Sequence, residues 1–202
     1  CRMVGEKLYL KGAKCRSPKC TFERRPTTPG QHARRAGTKK LSEYGKQLDE
    51  KQKVKLMYGL LERQFRRFFE LASKQHGITG ENLLSLLERR LDNVIFRLKM
   101  AISRVQSRQM IVHGHVTVNG IKVDKPSYLV KAGDVVALTA ATLNNKSFVE
   151  NVVDKRLATA VKVPEWLDLD KKERRGVIAR LPQRADITAP IQEHLIVELY
   201  SK

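Results

Sequence analysis

The sequence predicts an α+β protein: a helical N-terminal domain with a basic, metal-knuckled arm, plus a small mixed α/β domain built from helices packed on an antiparallel sheet. Three observations predict it. Apolar residues recur at intervals of three and four between Leu41 and Met100; a helix start, a helix stop and a tight hairpin crowd into residues 103–120; and residues 1–53 carry a charge of +10 around Pro and Gly with little apolar periodicity. The units are residues 1–40 (basic arm), 41–87 (helical domain), 88–150 (mixed domain) and 151–202, a segment that packs back on the two domains.

The stretch TFERRPTTPGQHARRAGTKK, Thr21 to Lys40, reads as an extended arm that stays mobile without a ligand. After Leu41 and Ser42, a helix is marked by Tyr44, Leu48, Val54 or Lys55, and Tyr58, with Gly59 as its stop. A second helix spans Leu61 to Gln75. Its stripe is Leu61, Phe65, Phe68, Phe69 and Ala72, with Arg63, Arg66, Arg67 and Lys74 mostly outside it, and Gly77 closes it. Thr79 opens a third stretch, in which Leu84, Leu87, Leu91, Val94 and Leu98 form a core stripe and Arg89, Arg90, Arg97 and Lys99 decorate the rest.

Residues 103–120, SRVQSRQMIVHGHVTVNG, are the most informative. Ser103 and Gln106 form a capping box, the serine hydroxyl taking the Gln106 amide and the glutamine reaching back to the serine amide. Gly114 supplies the left-handed residue that ends the helix. His115 to Val118 then alternates toward Asn119-Gly120, a type I′ turn signal leading into Ile121 to Val123. Arg104 and Arg108 lie one turn apart on one face. Beyond, Gly133-Asp134 introduces a strand from Val135 to Leu138. Residues 139–160 carry no clear pattern, VPEWLDLDKKERRGVIARLP reads as irregular, and Ile191 to Tyr200 alternates like a terminal strand.

The chain of 202 residues holds 40 Lys plus Arg against 21 Asp plus Glu, a formal net charge of +19. Such an excess opposes compaction by self-repulsion and points to a polyanionic partner. An apolar content of 41% still suffices for a core. No apolar run approaches the roughly 18–20 residues that cross a bilayer, and the basic start lacks the apolar region of a secretion signal, so a cytosolic protein without a membrane partner is expected. No phosphate-cradling glycine loop, nucleophile elbow or paired-carboxylate pattern supports an enzyme.

Cys1, Cys15 and Cys20 are the only cysteines. Three thiols cannot all pair with one another, and their spacing suits zinc, which prefers four thiolate or imidazole donors. The fourth donor would be a residue just upstream of Cys1 or His32; three free thiols is the competing reading. Lys7, Lys11, Lys14, Arg16 and Lys19 favour thiolates, and would serve RNA equally well. His113-Gly-His115 lacks a neighbouring third ligand or carboxylate and reads as a phosphate or base contact at a helix end.

Residues 87–134, LERRLDNVIFRLKMAISRVQSRQMIVHGHVTVNGIKVDKPSYLVKAGD, closely resemble the RNA-binding module of the small-subunit ribosomal protein S-four family. YLKGAKC, SPKC, ERRP, PGQH, EKQK, YGLLERQFRR and EHLIVELYSK resemble the bacterial form of that family in order, so the resemblance runs nearly end to end. Tyrosyl-tRNA synthetases and pseudouridine synthases share the module, but not these flanks.

The resemblance implies direct binding of 16S rRNA in its 5′ domain early in assembly, contacts with the neighbouring proteins S-three and S-five and with mRNA near its path into the subunit, and an influence on decoding accuracy. Some members also bind their own operon mRNA. It implies zinc, or an iron–sulfur cluster, on four cysteines, of which Cys1, Cys15 and Cys20 match the last three; the first would precede Cys1, leaving His32 to RNA. The expected RNA contacts are Lys11, Arg24, Arg25, His32, Arg34, Arg35, Lys39 and Lys40 on the arm, Arg63 and Arg67 on the second helix, Arg89, Arg90 and Arg97 on the third, and Ser103, Arg104, Arg108, His113, His115, Asn119 and Lys122 on the helix–hairpin unit. The alternatives are an RNA-modifying enzyme carrying the same module and an mRNA-binding regulator working off the ribosome.

Overall fold

A computed structural model describes residues 1–30, 41–159 and 161–201. Expectations for His32, Arg34, Arg35, Lys39 and Lys40 fall outside the described residues.

The chain starts with a 3₁₀ turn, Gly12–Arg16, and a single helical turn α1, Thr21–Arg24. Helix α2, Glu43–Tyr58, begins where Ser42 Oγ accepts the Gly45 amide at 3.2 Å and stops at Gly59, φ 65°. Helices α3, Glu62–Ser73, and α4, Thr79–Glu88, follow. These three helices close over one apolar core containing Val54, Tyr58, Phe65, Phe68, Ala72, Leu83, Leu84 and Leu87. The buried residues of α2 are Gln47, Lys53, Val54 and Tyr58, whereas Tyr44 and Leu61, expected in the stripes, are exposed.

The third stretch is two helices, not one. Arg90 is extended (φ −64°, ψ 136°), and α5, Leu91–Arg97, starts anew. The physical cause lies across the chain: the carbonyls of Tyr128 and Pro126 accept the amides of Leu91 and Asp92, donors that a helix beginning here would otherwise leave unmet. The leucine stripe is consequently split between two cores, with Leu84 and Leu87 in the first and Leu91, Val94 and Leu98 in the second.

Helix α6, Arg104–Val112, leads into strands β1, Val116–Val118, and β2, Ile121–Lys122, and later β3, Val135–Leu138. The region without a sequence pattern forms short helical pieces: α7, Ala140–Asn144; α8, Lys146–Phe148; a π-helical turn, Val149–Asp154; and α9, Lys155–Leu157. The segment expected to be irregular is a hairpin, β4, Leu167–Asp170, and β5, Arg175–Ile178, turning at Arg174, φ 50°. The five strands are antiparallel in the order β2-β1-β3-β5-β4. Trp166 sits 1% exposed at the edge of this hairpin, in one core with α5, α6 and the sheet. Burial of that indole is what fixes a segment whose charged run obscured the pattern.

The chain end is a helix, not a strand: α10, Glu193–Tyr200. A short apolar run satisfies both periodicities, and tertiary contact decides. Ile196 is fully buried in the first core, and Tyr200, one helical turn later, stacks on Phe69 at 4.6 Å and donates its hydroxyl to Glu62 at 2.9 Å. Glu198 meanwhile accepts from Gln47 of α2 at 2.8 Å.

Gly176 lets α5 lie against the sheet. A Cβ there would stand 2.3 Å from Leu98 Cδ2 and 2.5 Å from Cδ1, inside any real contact. Gly176→Ala is expected to lower unfolding stability by about 1–3 kcal/mol in urea titration, and Leu98→Ala, costly alone, to recover part of that loss in the double variant. Strict additivity would refute the close packing.

Candidate nucleic-acid interface

The helix–hairpin unit is built by local chemistry. Ser103 Oγ accepts the Gln106 amide at 3.2 Å, as the capping box requires, but Gln106 Oε1 accepts from Ile102 N at 2.8 Å instead of the serine amide, one residue earlier than expected. Helix α6 ends at Gly114, φ 72°. Glycine suits the left-handed backbone here, and the Lys122 side chain packs across the position, its Cε 2.0 Å from where a Cβ would stand. Asn119 and Gly120 have φ of 52° and 79°, as a type I′ turn demands, and β1 pairs β2 through Val118↔Ile121. The Asn119 side chain is not free for RNA. It donates to Asp134 Oδ1 at 2.9 Å and accepts Val135 N at 2.8 Å, tying the turn to β3.

The unit brings His113, His115 and Lys122 together at the end of α6. The two imidazoles lie 6.2 Å apart; His113 and Lys122 are exposed, while His115 is half-buried with Nδ1 2.9 Å from Thr142 Oγ1. Arg104 and Arg108 do share a face, beside Asp92. Their roles diverge: Arg108 is 43% exposed and reaches Asp92 only at 3.7 Å, whereas Arg104 is spent inside the fold.

That inner set is a buried network around Glu88, itself 1% exposed. Its carboxylate accepts Tyr58 OH at 2.6 Å, Asn93 Nδ2 at 2.7 Å, and Arg97 Nε and Nη2 at 3.0 and 2.6 Å. Asn93 Oδ1 in turn accepts Arg104 Nε at 2.8 Å, and the Arg104 guanidinium lies over the rings of Tyr58 (4.9 Å) and Phe96 (4.7 Å). Burial opposes ionisation of Glu88, yet Arg97, assisted by Arg104 and the Tyr58 hydroxyl, holds its carboxyl at about 2. Burial, and then the Glu88 charge, push the Tyr58 phenol well up; Glu88 keeps Arg97 charged against its own burial.

The third-helix cations are therefore not surface decoration. Arg90 is 1% exposed and clamps Asp92 at 3.1 and 2.5 Å over the Phe68 ring; Arg89 is half-buried and donates to Val130 O at 3.0 Å; Arg97 belongs to Glu88; Lys99 is buried and donates to Thr159 O at 2.9 Å. The helix break at Arg90 turns these side chains inward, which a continuous helical wheel cannot register. Ser103, half-buried, serves as the cap. By contrast Lys11, Arg24, Arg25, Arg63 and Arg67 stand exposed, the last two on the outer side of α3.

Cys1, Cys15 and Cys20 are free thiols, the latter two buried. Leu8 N donates to Cys1 Sγ at 3.3 Å and Lys11 N to Cys15 Sγ at 3.2 Å. Among the described residues no three Cys, His, Asp or Glu side chains converge closely enough to hold a metal ion, so the donors present do not complete a site and the metal-knuckled arm gains no support. Among the same residues no helix is long and apolar enough to cross a membrane.

Two family models match in tandem: one described as "Ribosomal protein S4/S9 N-terminal domain" over residues 1–88, and one described as "S4 domain" over residues 89–136. Relatives named small ribosomal subunit protein uS4 are similar over the whole chain. Those from Acetivibrio thermocellus and Dictyoglomus turgidum are 54% identical and that from Thermoanaerobacter pseudethanolicus 55%, each alignment covering 100% of this chain and 95% of the relative.

Glu88 makes acid stability predictable. Its carboxyl titrates at about 2 when folded against 4.5 unperturbed, so its stabilisation is complete above about pH 4.5 and is lost as pH falls from there toward 2. The loss should be about 3 kcal/mol over that window, and Glu88→Gln should flatten this part of the stability–pH curve while weakening the fold at neutral pH. Equal acid slopes in the two proteins would refute the ionised buried carboxylate.

Proposed function

The chain belongs to the ribosomal S-four family, a structural and non-enzymatic one, and on that premise we propose that it is a cytoplasmic RNA-binding constituent of the small ribosomal subunit. One observation carries the reading: His113 and Lys122 are held exposed around a helix end and turn that Gly114 and Asn119 fix in place, with the half-exposed Arg108 further back on the same helix. Such a fixed cationic surface suits folded RNA, whose helices are recognised mostly by shape through phosphates and 2′-hydroxyls. The exposed Arg63 and Arg67 of α3, and Lys11, Arg24 and Arg25 of the N-terminal segment, extend the cationic surface.

In this reading the ligand is the 5′ domain of 16S rRNA, bound early so that it nucleates assembly. The neighbours are S-three and S-five, and the position beside incoming mRNA gives the protein its influence on accuracy. The same surface would bind the protein's own operon mRNA. For the thiols we propose zinc, or an iron–sulfur cluster, on Cys1, Cys15 and Cys20 with a donor beyond them. The soft donor set supports this, as do the amides already directed at two of the sulfurs. Elemental analysis of purified protein should find one equivalent of zinc or cluster iron that Cys15→Ser abolishes; metal-free, folded protein would refute it.

The RNA reading is tested by binding to a 5′-domain rRNA fragment across salt concentration. Arg108→Ala and Lys122→Ala should each flatten the dependence of log affinity on log salt by about 0.9 for a duplex phosphate lost, or about 0.7 for a single-stranded one. Arg104→Ala should instead lower thermal stability and leave the slope nearly unchanged. If Arg108 and Lys122 can be replaced together without altering the slope, the surface lies elsewhere.

A further inference from the structure

A cleft of about 670 Å³ opens where the N-terminal segment, the end of α5, Arg156, Val161 and Lys162, and residues 188–190 meet. Its lining includes Lys7, Arg16, Lys99, Arg156 and Lys162, beside Arg97 and Arg104 of the Glu88 network. The only carboxylate lining it, among the described residues, is Glu6, and Lys53 holds that one at 3.3 Å. Lys7 is neutralised by Glu23. The rest of the group has no such relief. Lys99 is 6% exposed with only the neutral Thr159 carbonyl on its ammonium, and Arg156 is 9% exposed, packed over Phe96 at 5.3 Å, with Nε buried and lacking a hydrogen-bond partner.

Two further facts show what this costs. Lys99 adopts φ 60°, a left-handed conformation that a non-glycine residue holds only at a penalty of about 1 kcal/mol or more. Burial, and then Arg156, Lys171 and Arg16, depress the Lys99 ammonium, while burial and Arg16 lower Arg156. Like charges gathered into a recess, one on a strained backbone and one with an orphaned nitrogen, make an arrangement that an anion would relieve.

We propose that this cleft is a recessed phosphate-binding site in which Lys99, Arg156 and Arg16 together engage adjacent phosphate groups, with Lys162 at its exposed rim. Guanidinium and ammonium groups in one recess suit the several oxygens of a phosphodiester turn or of an oligophosphate. The inference deepens the RNA-binding reading by assigning the backbone phosphates a seat away from the helix–hairpin unit, but its oligophosphate measurement stands without that reading.

The probe is sodium tripolyphosphate, added to the full chain at constant ionic strength and followed by calorimetry and thermal unfolding, with the 5′-domain rRNA fragment as the second ligand. Lys99→Gly removes a cation at a position whose backbone favours glycine, so the variant should fold without ligand; Arg16→Ala, at an exposed site, guards against any structural effect there. Wild type should bind tripolyphosphate saturably and gain several degrees in Tm, and each variant should weaken it roughly tenfold, the loss of one charge-assisted contact. A parallel loss of RNA affinity identifies the phosphates as those of the RNA backbone. Loss of tripolyphosphate binding alone identifies a free oligophosphate. If both variants bind both ligands as wild type does, or if wild type shows no saturable tripolyphosphate binding and unaltered RNA affinity on substitution, the site is overturned. Failure of the RNA reading would appear differently, as wild type that binds tripolyphosphate but not the rRNA fragment.

Discussion

An ionised carboxylate in a dry interior is costly, and Glu88 is tolerated because four donor atoms of three side chains converge on it. Tyr58 comes from the end of α2, Arg97 and Asn93 from α5, and Asn93 passes the link to Arg104 at the start of α6. Glu88 itself is the last residue of α4, immediately before the chain breaks at Arg90. Both cores meet at this point. These hydrogen bonds tie the α2–α4 helices to α5 and, through Asn93, to the start of α6. Any surface spanning both parts depends on those ties.

The same network explains how a chain of +19 divides its charge. Composition shows the excess but not which cations reach solvent. Arg90, Arg97 and Arg104 are committed to Asp92, Glu88 and the aromatic rings, so their charge is met within the fold. Among the cations that reach outward are His113 and Lys122 near the hairpin, Arg63, Arg66 and Arg67 along α3, and Lys11, Arg24 and Arg25 of the N-terminal segment, with Arg108 half-exposed beside Asp92. Long side chains with an apolar stem and a charged head can take either fate, and the decision is made by what lies across from them.

That distinction marks how far the sequence is legible. Signals that act within four residues are readable: Gly59 as a stop, the Ser103 cap, Gly114, and the Asn119-Gly120 turn all stand where local chemistry puts them. Even so, Gln106 turns to Ile102, because a long amide has more than one amide in reach. Signals that need a distant partner are not readable. The break at Arg90 is set by carbonyls of residues 126 and 128, the terminal helix by Phe69 and the core around Ile196, and the β4–β5 hairpin by burial of Trp166 and pairing with β3. Gln47, buried on α2, donates to Glu198 of α10, 151 residues away, a link that no window along the chain could reveal.

The cleft at Lys99 belongs to this second kind, and it shows why stability and recognition part company there. A glycine at position 99 would suit the backbone, and an apolar residue at 156 would leave no orphaned Nε, so packing alone offers no account of either cation. Each costs something against a net stability that for a domain of this size is only on the order of 5–15 kcal/mol. The two cores, the Glu88 network and the close approach of Leu98 to Gly176 supply the rigidity that holds these groups in place. Strain that the surrounding structure over-determines tends to sit at working sites. At Lys99 it sits where the N-terminal segment and both cores come together, the position from which a bound anion would draw all three into one body.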